Sequence, residues 1–73
     1  MERKEEILRK FGERVTELRL RKNLSVRELA IAAGLERNKM QRIEEGKVNI
    51  LFTTILALAG ALGITPEELM EFL

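Results

Sequence analysis

Apolar residues recur along this chain at spacings of three and four, and no stretch alternates as a half-buried strand would. Leu8, Phe11, Val15 and Leu18 make one stripe, which predicts a first helix from about Glu5 to Lys22. Asn23 follows, and asparagine tolerates the left-handed conformation in which helices end. Ser25-Val26-Arg27-Glu28 is a capping box: the hydroxyl accepts from one free amide, and Glu28 reaches back to the cap. It opens a second helix that runs to Ala33 and is stopped by Gly34. A third is expected from about Arg37 to Glu45, with Gly46 as its stop. A fourth lies within Leu51–Leu62, with Phe52, Ile55, Leu58, Ala59 and Leu62 on one face and Gly63 at its end. Thr65-Pro66-Glu67-Glu68 opens a fifth, with Thr65 as cap, Pro66 in the first turn and Glu68 closing a second capping box; it is expected to run to near Leu73. The connections are short, so consecutive helices must pack on one another. The fold expected is all-α, a compact five-helix bundle, with residues 1–73 forming a single domain.

The second and third helices carry the most specific pattern. Two short helices crossing steeply need a small residue at the contact and a positive-φ residue in the turn. Ala30 and Gly34 stand at those places, and Leu35 can pin the turn to the core. The third helix buries a narrow stripe of Met40, Ile43 and Glu44. At about 100° per residue its opposite face centres on Asn38, Arg42 and Glu45, flanked by Arg37, Lys39 and Gln41. That face is polar, hydrogen-bonding and mostly cationic, the chemistry needed to read base edges in a major groove.

Composition narrows the alternatives. Cys, His and Asp are absent and Ser25 is the only serine, so a disulfide, a thiolate or imidazole metal site and a His-assisted nucleophile are excluded. No enzyme activity and no cofactor are expected. The charged N-terminus is not a signal peptide, and the apolar run Ile55–Ala61 is too short to span a bilayer. The expectation is a cytoplasmic protein without a membrane partner. Net charge is only +1, but all 13 Lys and Arg and nine of the 12 Glu fall in residues 1–47, leaving that segment at +4 and the remainder at −3. A basic front suits a polyanion; ordinary solvated charge is the other reading.

In the order and spacing of Phe11-Gly12-Glu13-Arg14-Val15, Glu17-Leu18-Arg19, Leu24-Ser25, Glu28-Leu29-Ala30, Ala33-Gly34-Leu35, Arg42-Ile43-Glu44, Gly46-Lys47, Leu58-Ala59, Ala61-Leu62-Gly63-Ile64 and Glu68-Leu69, the chain resembles the phage repressor and Cro-like helix-turn-helix regulators. The resemblance runs from about Phe11 to Phe72. It implies a lambda-repressor-like DNA-binding domain, with a second helix at about 25–33 and a recognition helix at about 37–45. It implies an ion bridge between Arg19 and Glu44, joining the first helix to the recognition helix. It implies base contacts from Arg37, Asn38 and Arg42, with Gln41 at the margin, and phosphate contacts from Lys39 and Lys47. A solvated helix face is the plain alternative for that set.

Several positions depart from the family. Glu36 replaces the usual Ser or Thr cap of the recognition helix. Glu45 replaces an Asn that commonly meets phosphate, and Val26 replaces a polar backbone anchor. Ile50 and Leu51 replace Pro-Ser, leaving Asn49 as the candidate cap for the fourth helix. Each of these weakens DNA binding, because phosphate contacts supply most of the affinity. Ile50, Leu51, Leu56, Met70, Phe72 and Leu73 are more apolar residues than a core of this size requires, so an apolar interface is expected, with Leu51, Met70, Phe72 and Leu73 as candidates; ordinary core is the other reading. The reading is a sequence-specific transcriptional regulator, a homodimer on double-stranded DNA with a two-fold operator. The rival is a module for a protein partner, as in the antitoxins of this family, with DNA binding secondary. An end at Leu73 leaves no room for an effector domain, so regulation is expected from concentration, a partner or a longer parent chain.

Overall fold

The computed structural model describes residues 3–73. It has five helices in chain order: α1 (Lys4–Arg21), α2 (Val26–Ala33), α3 (Arg37–Glu44), α4 (Phe52–Leu62) and α5 (Pro66–Leu69). There is no strand among the described residues. Phe11, Val15 and Leu18 of α1 meet Leu29 and Ala30 of α2, Met40 and Ile43 of α3, Leu58, Ala59 and Leu62 of α4, and Leu69 of α5 in one core. Each helix contributes a stripe at most three buried apolar residues wide, so the domain is held by mutual packing, with no central helix.

Local chemistry sets most boundaries. The amide of Glu28 donates to Ser25 Oγ (3.0 Å) and the amide of Ser25 to Glu28 Oε1 (2.8 Å). Thr65 and Glu68 make the same reciprocal pair at 3.1 and 2.9 Å. Asn23 takes a φ of 58° beyond α1, as its place in the sequence predicts.

Three expectations need correction. First, α4 begins without a side-chain cap: its N-cap is Leu51, not Asn49. Second, Phe52 does not join the inward face of α4 but stands 71% exposed, while Thr54 is buried. The other four residues of that face, Ile55, Leu58, Ala59 and Leu62, do pack inward, and only the first turn departs from the periodicity. Third, α5 ends at Leu69, short of Leu73, and the amides of Glu71 and Leu73 turn back to Glu68 and Met70. Arg14 meets the chain at this point. Its Nη2 donates to the Glu68 carbonyl at 2.7 Å, the group that Phe72 would bond in a longer helix. Phe72 instead folds back edge-on to Phe11, with ring centroids 5.9 Å apart. Met70 and Phe72, expected in an exposed interface, are therefore half-buried against the core, as is Ile50. Leu51, Phe52, Leu56 and Leu73 remain exposed. No helix among the described residues is long and apolar enough to cross a membrane.

Candidate nucleic-acid interface

The candidate site is α3, and three devices seat it. The first is the turn from α2. Gly34 adopts a φ of 72°, which costs a side-chain-bearing residue about 1 kcal/mol or more, and the Leu35 amide reaches back to the Ala30 carbonyl at 2.8 Å. Ala30 is 1% exposed, which lets α2 lie close against its neighbours. Leu35 packs against the core as expected.

The second is an ion pair. Arg19 Nε donates to Glu44 Oε2 at 2.7 Å and Nη2 to Oε1 at 3.1 Å, a two-pronged pair with side chains only 12% and 9% exposed. Arg19 Nη1 also donates to the Leu24 carbonyl at 2.8 Å, so one guanidinium joins α1, the α1–α2 loop and α3. The Thr16 hydroxyl lies 2.8 Å from Glu44 Oε1 and 2.9 Å from the Gly12 carbonyl, and donates within that pair of acceptors.

The third is steric. A Cβ at Gly12 would overlap the carbonyl oxygens of both Ile43 and Glu44, so the end of α3 lies directly on the α1 backbone. Gly46 follows the same logic from the other side. Its φ is 74°, and a Cβ there would sit 2.8 Å from Arg9 Cα. Gly12 and Thr16 were not singled out as structural residues from the sequence. The signal was present: Gly12, Thr16 and Arg19 repeat the spacing of Phe11, Val15 and Leu18 one position on.

Seated in this way, α3 buries Met40 and Ile43 and turns the other side outward. Arg37, Asn38, Lys39, Gln41 and Arg42 are all exposed, as are Glu45 and, in the following loop, Lys47. Asn38, Gln41, Arg42 and Glu45 line a shallow notch in this face. Two of the sequence-selected residues are already engaged there. Gln41 Nε2 donates to Glu45 Oε2 at 3.3 Å, and Lys47 Nζ lies 3.4 Å from Glu45 Oε1. The Gln41 hydrogen bond, with the charges of Lys47 and Arg42, holds the Glu45 carboxyl below the usual carboxylate range. Glu36 precedes α3 in an extended conformation and gives no side-chain cap, in line with its poor capping chemistry.

This face is polar and rich in donors, on a helix held from behind. The sequence profile described as a helix-turn-helix domain matches residues 10–72. The control protein C.BamHI of Bacillus amyloliquefaciens is 36% identical over 63 residues, spanning 85% of this chain and 78% of its own. The crystal structure of the restriction-modification controller protein C.AhdI from Aeromonas hydrophila superposes with a TM-score of 0.83 at 47% identity, covering 85% of this chain and 94% of that one. The clp gene regulator ClgR of Corynebacterium glutamicum shares the fold at 20% identity, with a TM-score of 0.85 over 90% of this chain and 86% of its own. The chain belongs to the helix-turn-helix domain family, among its repressor and Cro-like transcription regulators.

Proposed function

We propose that this chain regulates transcription as a controller-type protein, docking α3 in the major groove of a two-fold operator as a homodimer in the cytoplasm. The observation that carries this is the outward face of α3: a donor-rich surface on a helix fixed by an ion pair, a glycine turn and a backbone contact. The similarity to the control protein C.BamHI and to the restriction-modification controller protein C.AhdI supports the regulatory setting. Arg42 suits guanine and Asn38 suits adenine, with Arg37 beside them and Gln41 at the edge. Lys39 and Lys47 reach phosphate.

Alanine at Arg42 or Asn38 is expected to cost about 1–3 kcal/mol on the operator and almost nothing on random duplex. Lys47→Ala is expected to weaken both alike and to flatten the log–log salt dependence by about one unit per subunit. Titration of the three variants against operator and scrambled duplexes at several salt concentrations checks this. Equal losses on both duplexes for Arg42→Ala would make that arginine a phosphate contact.

Leu51, Phe52 and Leu56 form the exposed apolar surface at the start and outer side of α4, away from the basic half of the sequence. It is offered as the dimer contact, with the exposed Leu73 as a separate candidate. Sedimentation at high micromolar concentration is expected to give a dimer, and Leu51→Lys a monomer. A wild-type monomer, both free and on DNA, would leave this surface for a different protein, the second reading of the chain.

A further inference from the structure

We propose that Glu45 sets how sharply the α3 face discriminates between duplexes, a reading that rests on α3 being the DNA-contacting helix. Its carboxylate holds Gln41 from the base edges and Lys47 from phosphate, and among the groups of DNA it accepts only from a base edge that presents an amino group, such as cytosine N4. Three observations lead there. Glu45 is exposed at the end of α3, one turn beyond Gln41, and shares its notch with Asn38 and Arg42. Both of its oxygens are engaged, one by the Gln41 amide and one by the Lys47 ammonium. It is also the only carboxylate lining that notch, whose other side chains are two amides and a guanidinium.

A carboxylate offers about four lone-pair positions, so two contacts leave acceptor capacity facing solvent. On a random duplex Lys47 must leave Glu45 to reach a phosphate, and the released anion then faces the phosphate backbone with nothing to accept from. On a duplex that presents an amino group at the notch, that loss is offset by a charge-assisted hydrogen bond. Non-specific binding rests almost wholly on phosphate contacts, so Glu45 weakens it more than it weakens specific binding.

The test compares the wild type, Glu45→Gln and a charge-matched control, Glu67→Gln, which lies on α5. The wild type first selects a duplex from a randomised library, and a scramble of that duplex serves as the random probe. Anisotropy titrations at several salt concentrations are read for both. Glu45→Gln is expected to bind the scramble about tenfold tighter, with a salt slope steeper by about one unit per subunit, and to gain less than about threefold on the selected duplex. Glu67→Gln should leave the ratio between duplexes unchanged. The proposal is overturned if Glu45→Gln shifts both duplexes by one factor, shifts neither, or raises the ratio. A wild type that selects no sequence removes the DNA reading and this proposal together, and that failure is visible before any variant is compared.

Discussion

Arg19→Ala is expected to lower stability by about 3–5 kcal/mol, the cost of leaving a buried charge without its partner. The side chain makes three hydrogen bonds, two to Glu44 and one to the Leu24 carbonyl. Its removal strands a carboxylate that is 9% exposed, with Thr16 its one remaining side-chain donor, and a half-buried carbonyl. A domain of this length has only about 4–11 kcal/mol in total, so the loss is a large fraction of it. At roughly 4–8 °C per kcal/mol, the melting temperature should fall by well over ten degrees. Thermal denaturation of wild type and variant measures it directly, and melting points within a degree of each other would show the bridge to be idle. The double variant Arg19→Met with Glu44→Leu should regain much of the loss, since apolar pairs of similar volume commonly match buried ion pairs. Arg19→Met alone, which keeps the volume but leaves Glu44 without its partner, should stay destabilised, and that contrast with the double variant identifies the stranded charge, and not the lost volume, as the source.

Gly12→Ala should be nearly as damaging, although it adds a single methyl. The atoms that methyl would overlap, the carbonyl oxygens of Ile43 and Glu44, belong to a helix backbone and have no rotamer to escape into. The end of α3 must therefore lift from α1, lengthening the Arg19–Glu44 and Thr16–Glu44 contacts and tilting the face that meets DNA. Overpacking typically costs about 1–3 kcal/mol, and with rigid backbone on both sides the upper end is expected, about 3 kcal/mol. DNA affinity should fall with it. Gly60→Ala is the internal comparison. That glycine lies in α4 with nothing within 4 Å of an added Cβ, so helix propensity alone should stabilise by about 0.5–1 kcal/mol. Paired melts and one operator titration check both variants. A Gly12→Ala protein that melts with the wild type would mean α1 and α3 are not locked by backbone contact.

The sequence by itself determined whatever is decided within one turn of helix. The capping boxes at Ser25–Glu28 and Thr65–Glu68, the stop at Gly34, the buried stripe of α1 and the outward face of α3 all depend on hydrogen bonds or side-chain phases spanning three to five residues. Those interactions are written in adjacent letters, so length and order of most helices could be read directly. The Arg19–Glu44 bridge was legible only through resemblance, because its partners are 25 positions apart. Tertiary structure alone decided the rest. Phe52 faces outward and Thr54 inward, against the polarity of both side chains, because the first turn of α4 takes its orientation from the helices that pack on the rest of it. α5 stops at Leu69, where a guanidinium 54 residues earlier in the chain reaches the Glu68 carbonyl and Phe72 returns to Phe11. Gly12 looks like an ordinary helical glycine until α3 lies across it. In each case the deciding contact joins residues distant in the chain, whose approach is fixed by the packing of whole helices and not by local conformational preference.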